Sequence, residues 1–568
     1  MNKLEENLVD YNNLNASDLK KFENIYNVNQ NKFSELIDNL ASYYARDLSW
    51  LTQSILSKNK SLSTIYFEYC RLEILKKKFK KNFINKIIVE NEVQKKLIEN
   101  NFKYRFKIRF IIKNQTTNSY IKILRNFIFN LKFIFILFIN RSLKRKNFFL
   151  KKDNITIVEN FLYLRKYEKK EYSDRYYGNL LSLLNDKKKS NIFFLFQVLS
   201  PAKLRQQLTL IKKYKIKFIT IFDFLKLSDY INALIKIHQI KKIGSKKIIY
   251  NNIDLSDLFK AEYKKTFNDI NVLYGMLQFL FFKRLKKETK QNNIRHIVDW
   301  YENQSIDKGF NLGINIFFPK VQTIGYQAYA VDYNYYSHLL PSKGEIINKI
   351  TPKKIAFIGK EIKSYATKKF KLKKKNLILA PSLRFNNIFV SKSHIKKKLK
   401  EKNILLALPV TYNDSEDIVC LLNSYIKKYK NLNHKFYINH HPMLNFEKLH
   451  KTHSFINKKF IISKKSFNNS FQKFDCVVSN SSSICFESLA HGIPVIIVKS
   501  KTRITHNPIA NVKHTIWKLA QNENELKKAL DYFLTNKKRS YTKISNIIKK
   551  GYFSAVNTKN VHKLLDIK

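Results

Sequence analysis

From residue 376 onward the chain keeps returning to one pattern: a short apolar run, a turn, a helix, and the next apolar run. NLILAPS, NILLALPVT, DSEDIVCLLNSYIKKY, HKFYINHHP, KKFIISK, FDCVVSNSS, SICFESLAHG and IPVIIVKS follow in that rotation. Strands that are apolar throughout and separated by helices require a parallel sheet covered on both faces. This predicts a parallel α/β domain over residues 376–535.

The first part of the chain carries the same signal with more helix around it. Residues 1–60 place apolar side chains at threes and fours and read as helical. STIYFEY reads as a strand, and NKIIVENEVQKKLIENN as a strand and helix. NIFFLFQV is a buried strand, SPAKLRQQLTLIKKY a helix with Ser200 as N-cap and Pro201 at its first position, and IKFITIF a strand, which together make a βαβ unit. Helices follow over FDFLKLSDYINALIKI and NDINVLYGMLQFLFFKRLKKETKQ. IRHIVDWYENQ and VQTIGYQAYA are then strands on either side of the helix SIDKGFNLGIN. Pro341, Gly344, Pro352 and a lysine run mark residues 343–375 as a connection. The expected organisation is an N-terminal α/β domain over 1–342, that connection, the second domain, and C-terminal helices over 536–568 that pack back across the first half. The expected fold class is α/β, with a largely helical N-terminal region.

Hydrophobic residues make up 44% of the 568 and aromatics 14%, which excludes a disordered basic tail protein. The net charge of +64 comes mainly from Lys, in a chain also rich in Asn and Ile, as codon bias produces on tolerant surfaces. Such a surface attracts lipid headgroups, nucleotide sugars and nucleic acid alike, so its sign does not choose among them. Four scattered cysteines without a CxxC pair fit neither a disulfide framework nor a zinc site, and point to a reducing compartment. The opening MNKLEENLVDYNNLNASDLKK has acidic and amide residues where a secretory leader needs a basic start and an apolar run, so the expected location is cytoplasmic.

One segment stands apart. YIKILRNFIFNLKFIFILFINRSLKRKNFFL, residues 120–150, has its longest apolar run at Phe133 to Ile139, too short for the roughly 20 residues of a spanning helix. It reads as an interfacial helix whose Arg125, Lys132, Arg141, Lys144, Arg145 and Lys146 meet anionic lipid, or as a buried hairpin or helix with a basic rim.

Two motifs carry chemistry. In FDCVVSNSSSICFESLAHGIPVIIV an apolar strand ends in Asn480, Ser481, Ser482 and Ser483, and a helix starts at once. Hydroxyls there cap the helix and leave backbone N–H groups for a phosphate. Glu487, one turn on, can accept from the hydroxyls of a ribose, and Gly492 and Pro494 close the helix. In HKFYINHHPML a strand ends at His440, His441 and Pro442, which puts an imidazole at a strand's carboxyl end. His441 there can donate to a phosphate oxygen or protonate a departing one. HHP brings no further ligands at metal spacing, so no metal is expected.

His-Pro after one strand, Ser-Ser-Ser after a later one, and FESLAHGIPVI resemble the nucleotide-binding half of GT-B glycosyltransferases, a resemblance that implies an α/β fold of two Rossmann-like domains facing a cleft. The likeness is to bacterial surface-polysaccharide enzymes of the sialyltransferase-like and capsule Kdo-transferase-like kind, which use cytidine-linked sugars. It covers about residues 376–515 and implies donor-phosphate binding by His441, Ser481, Ser482 and Ser483, with Glu487 at the ribose. WYENQSIDKGFNLGI, KVQTIGYQAY and PSKGEI resemble large surface carbohydrate biosynthesis proteins of two-domain layout. In that setting Glu302 ends a strand, Ser305 caps the next helix, and the carboxylate faces the interdomain cleft as general base for an acceptor hydroxyl, ahead of Asp299 and Asp307. Asn303, Arg384, Thr411 and Arg503 are further candidate substrate contacts, and Lys499 and Lys501 can neutralise the leaving nucleotide. The implied activity is metal-independent transfer from a nucleotide sugar, CMP-linked in the nearest likeness, to a surface polysaccharide such as capsule or lipopolysaccharide, or to a lipid-linked glycan. The enzyme would sit on the inner face of the cytoplasmic membrane and use no cofactor beyond that co-substrate.

Absent motifs narrow the field. The chain has no GxxxxGK[ST], GxGxxG or GxSxG, and no DxD; DSED at 414–417 is expected to cap a helix. A polyol-phosphate transferase or a sugar-nucleotide epimerase is the rival among enzymes. A non-catalytic glycan-assembly scaffold or a nucleic-acid binder is the rival outside them, the latter with affinity that falls steeply with salt.

Overall fold

The computed structural model describes residues 8–43, 47–59, 63–81, 83–102, 108–113, 119–162, 172–198, 204–238, 247–266, 269–289, 294–331, 336–370, 372–390, 401–429, 433–463, 473–512, 515–535 and 541–567. The expected cap at Ser200 and Pro201 lies outside them. The chain divides into two compact units, one of residues 1–327, 337–356 and 562–568, the other of residues 328–336 and 357–561.

The first unit holds two parallel sheets. A small one pairs Leu8–Asp10, Lys86–Val89 and Arg109–Ile112 in that order, beside the helices Ala16–Tyr43 and Glu92–Phe102. STIYFEY is not a strand: it opens the helix Ile65–Phe79. The reason is tertiary. Ile65, Tyr66, Tyr69 and Leu72 return at helical spacing and are buried, with Tyr66 4.7 Å from Phe33 and 5.1 Å from Tyr26, ring centre to ring centre, on the first long helix. Those contacts override the β preference of a short aromatic stretch.

The main sheet of this unit runs Phe218–Ile219, Ile192–Val198, Ile155–Leu162, Ile294–Trp300, Gln322–Gln327, Lys354–Phe357. Chain order reverses between Ile155–Leu162 and Ile294–Trp300, which pair in parallel. The helices Ile270–Glu288 and Ser305–Phe317 cross at glycine. A Cβ at Gly309 would stand 1.8 Å from the Gly275 carbonyl oxygen, so no side chain fits there. The close approach fixes where the second helix starts, and with it the loop from Tyr301 to Gln304. At the other end of the chain, His296 Nε2 donates to the Leu564 carbonyl at 2.9 Å, holding the last residues on this unit. The helix Thr542–Tyr552 belongs to the second unit, where Tyr552 packs 5.0 Å from Phe486.

The second unit is built on a six-stranded parallel sheet in the order Ile461–Ile462, His434–His440, Lys402–Leu408, Cys476–Ser479, Val495–Val498, Trp517–Ala520. Numbered along the chain this is 3-2-1-4-5-6, the dinucleotide-fold order. Ile404, Leu406, Ile438, Val478 and Ile496 of the sheet are buried with Ile418 and Leu422 of the helix Tyr412–Lys428 and Leu530 of the helix Glu523–Thr535. Each such side chain contributes about 1.5–3 kcal/mol on burial.

Candidate functional site

In the second unit, chain order reverses between Lys402–Leu408 and Cys476–Ser479. In open α/β sheets the loops that leave two such strands turn to opposite faces, and ligands bind at the carboxyl ends between them. Pro409–Thr411 flanks it on one side and Asn480–Ser483 on the other. His441 follows the neighbouring parallel strand on the same edge, its N–H donating to the Leu408 carbonyl at 2.9 Å. The edge therefore gathers hydroxyls, an amide and an imidazole from three separate strand ends.

The two histidines differ. His440 stacks on Phe446 with ring centres 4.4 Å apart and planes 4° from parallel. The half-buried His441 ring instead accepts the Met443 N–H at Nδ1, at 3.2 Å, which places the proton of the neutral imidazole on Nε2. That nitrogen is thereby set as a donor.

The serines differ as well. Ser481 Oγ donates to Asp414 Oδ2 at 2.9 Å, and Thr411 Oγ1 donates to the same oxygen at 2.5 Å. Asn480 is buried, accepts the Ser481 N–H at 2.7 Å and donates to the Asp414 carbonyl at 3.1 Å. Asp414 thus ties the two flanking loops together, which the capping role expected of DSED did not include. Ser483 occupies the N-cap without a side-chain cap bond, and the capping bond comes from Ser482 Oγ, which accepts the Ile484 N–H at 3.4 Å. Glu487 lies one turn into this helix, Ile484–Ala490, and is half-buried. Gly492 ends it at φ +73°, as expected of a residue free of a Cβ. Arg503 donates to the Asn413 carbonyl at 3.0 Å and to Asp417 at 2.8 Å, and the Arg384 guanidinium lies 5.4 Å over the Phe385 ring.

In the first unit the corresponding reversal point is dominated by buried charge. The strand stops at Trp300, so Glu302 stands two residues beyond it. Its carboxylate accepts the Trp300 indole N–H at 3.0 Å on one oxygen and the Gln304 amide at 2.7 Å on the other, and it is half-buried. Gln304, not Ser305, is the N-cap of the following helix, and Ser305 is its first, fully buried residue. The start of that helix is held by Asp307, whose Oδ2 accepts the N–H groups of Glu302 at 3.0 Å and Gln304 at 2.9 Å.

Asn303 adopts φ +56°, a left-handed conformation that Asn tolerates better than most residues. It is fully buried. Its amide donates to the His338 carbonyl at 2.8 Å, and its Oδ1 accepts from Lys308 at 2.9 Å and from the Tyr301 hydroxyl at 3.0 Å. Lys308 is fully buried too, 2.5 Å from Glu345, which Lys58 approaches at 3.6 Å. Burial works to raise the Glu345 carboxyl, but Lys308 and Lys58 outweigh it and hold the pKa at about 2. Burial pushes Lys308 down against the pull of Glu345.

Behind the loop lie three buried acids. Burial, then the neighbouring carboxylates Asp299 and Asp307, push Glu159 up, and burial and Asp307 push Asp299 up. Asp307 rises to about 7, from burial first, with Glu302 adding to it against the two backbone donors. Asp299 accepts the Asn311 amide at 2.7 Å, and Glu159 accepts the Trp300 N–H at 2.9 Å. These groups organise the loop from inside. Glu159, Lys308, Glu345, Lys58 and Asp414 were not singled out from sequence as site residues. For Lys308 a signal existed, since it shares a helix face with Asn311 and Leu312, which are also buried.

No protein-family model matches the chain, and no curated protein matches its sequence. Solved structures do. The lipopolysaccharide outer core galactosyltransferase WaaB in its apo form is 11% identical with a TM-score of 0.41, over 73% of this chain and 99% of that one. A UDP-GlcNAc 2-epimerase from Neisseria meningitidis bound to UDP-GlcNAc is 13% identical with a TM-score of 0.42, over 72% and 98%. The wall teichoic acid polymerase TagF is 11% identical with a TM-score of 0.36, over 78% and 96%. At these values the architecture rests on the strand order of the chain's own two main sheets, each Rossmann-like.

Proposed function

We propose that the chain is a GT-B-type glycosyltransferase that moves a sugar from a nucleotide donor to a surface polysaccharide or lipid-linked glycan. The observation that carries this reading is the second unit's order reversal, with Thr411, His441 and Asn480–Ser483 on one carboxyl edge. Open α/β sheets bind ligands at that position. His441, its proton on Nε2, donates to a donor phosphate oxygen and then to the departing phosphate. Ser482 and Ser483 hold the phosphate beside Ser481, whose hydroxyl is shared with Asp414, and Glu487 receives the ribose hydroxyls. Thr411, Arg384 and Arg503 lie among the donor contacts.

Glu302 takes the proton from the acceptor hydroxyl. Its carboxylate is already oriented by Trp300 and Gln304, while Asn303 keeps the loop in place from within. The acceptor oxygen then bonds to the anomeric carbon as the bond from that carbon to the phosphate oxygen breaks, and the nucleotide leaves with the electron pair. The nucleotide sugar, CMP-linked as the first choice, is the co-substrate, and no metal or other cofactor enters the reading.

The test is thermal shift of the full chain with a panel of cytidine-linked and uridine-linked sugars, beside His441→Ala and Ser482→Ala. The expected result is a donor-induced rise in Tm that both variants reduce. A shift that neither variant alters, or no shift from any donor, overturns the phosphate site. Product analysis separates transfer from polyol-phosphate transfer and from epimerisation.

A further inference from the structure

Among the described residues no single helix is long and apolar enough to cross a membrane, although the helices Leu124–Ile139 and Leu143–Leu150, bent by 63°, pass that test together. The corner between them is fixed to the rest of the first unit. Asp223, fully buried at its side chain, accepts the Ser142 N–H at 2.9 Å and pairs with the Arg145 guanidinium through both oxygens, at 2.6 and 3.1 Å. Beyond the corner Phe149 is buried against Phe193 and Phe224, with ring centres 5.1 and 5.8 Å away. A segment anchored this way lies along the protein.

The helix Ser119–Ile139 buries Asn130, Phe133, Ile134 and Leu137, with Phe133 5.7 Å from Tyr274. Its other side is just as apolar but uncovered. Leu124, Ile128, Leu131, Phe135 and Ile139 recur at threes and fours, and Leu124, Phe135 and Ile139 are 61%, 64% and 60% exposed. Leu143 continues the exposed apolar surface past the corner. The helix Leu227–His238, which begins just after Asp223, adds a second stripe in Leu227, Ile231 and Ile235. Exposed apolar surface of this extent marks a contact with something else.

Charge identifies the partner. Arg125 and Lys132, seven residues apart and exposed, flank the stripe on one side of the helix, and the exposed Arg141 and Lys144 stand at the corner. No Asp or Glu occurs from Lys103 to Lys152. A second copy of this chain, itself at +64, is a poor fit to such a patch, whereas an anionic bilayer offers both an apolar layer and negative headgroups. We propose that this face docks the protein on an anionic lipid surface, with the stripe of Leu124 to Ile139 lying in the headgroup boundary and the cations on the lipid phosphates. The proposal is independent of the donor-site reading.

The test is flotation of the full chain with vesicles of phosphatidylcholine alone or with about 30% phosphatidylglycerol. The double variant Phe135→Ser, Ile139→Ser and the double variant Arg125→Gln, Lys132→Gln serve as comparisons, each with Tm measured to show that it folds. Wild type is expected to float with the anionic vesicles and not with the neutral ones. Each double variant should lose about tenfold or more in partition, since each cation near the surface is worth about fivefold. Three results overturn the proposal: no flotation with anionic vesicles, flotation that folded variants leave unchanged, or a concentration-dependent dimer that the Phe135/Ile139 variant abolishes without vesicles.

Discussion

The two main sheets reverse their strand order at equivalent places, yet the two reversal points carry opposite chemistry. In the first unit the place is packed with ionisable groups removed from water: the Lys308–Glu345 ion pair, and the acids Glu159, Asp299 and Asp307, pushed up by burial, behind the loop. In the second it is lined by hydroxyls, an amide and an imidazole, tied together by one carboxylate, Asp414. The same topology therefore sets where a loop emerges but not what it does. Buried, paired charge holds a loop rigid and offers little to a ligand that must come and go. Half-exposed neutral donors can exchange water for phosphate at small cost. In the proposed function the first edge presents one group, Glu302, and the second presents several.

The largest effects that can break this comparison are catalytic. His441→Ala is expected to lower donor-dependent transfer about 10²- to 10⁴-fold, with unfolding by urea moved by no more than about 0.5 kcal/mol. Glu302→Gln should lower turnover by a similar factor and leave the donor KM unchanged. If both variants keep wild-type rates, neither edge has the role assigned to it.

Stability comes next. Lys308→Met leaves the buried Glu345 carboxylate with the more distant Lys58 as its cation and should cost about 3–5 kcal/mol in denaturant unfolding. Ser481→Ala removes one hydroxyl from Asp414 and should cost about 1 kcal/mol. Equal costs for the two would erase the distinction between a sealed edge and an open one.

The pH dependence gives a finer test. Asp307, raised to about 7, keeps a proton in the folded state that the unfolded chain loses near pH 4. Its share of stability is therefore full at low pH and is lost as pH rises through about 7. Glu345 has the opposite sign. Held at about 2, it contributes above pH 4.5 and loses that contribution as pH falls toward 2. Urea midpoints measured from pH 4.5 to 8.5 should decline toward the alkaline end, and Asp307→Asn should flatten that decline. The smallest expected effect is on Tm in salt. Arg503 pairs with Asp417 near the surface, so adding salt to Arg503→Gln should change its Tm slightly less than it changes that of wild type.

Much of the second unit was legible because its strands are apolar throughout and its turns carry Pro, Gly, Ser and Asn at the ends. NSSSICFESLAHGIP shows a strand end, a helix and a glycine stop without help from elsewhere. STIYFEY was misleading because a short aromatic run satisfies either period, and only contact with Phe33 and Tyr26 decided for helix. Ser305 looked like a cap by residue type, but Asp307 reaches back to the Glu302 and Gln304 N–H groups and shifts the helix start by one residue. The Thr411–Asp414–Ser481 link joins residues 67 positions apart along the chain, and no local pattern announces it.

The sequence by itself determined the alternation of strands and helices, and with it two parallel sheets whose carboxyl ends carry His441, the serine cluster and Glu302. Local preference and apolar periodicity act within a few residues, so a single chain records them. Which acids are sealed and which side of the Ser119–Ile139 helix is left bare were decided only by tertiary structure. Each depends on what packs against a group from a distant part of the chain, and so on the water and charge that the group retains.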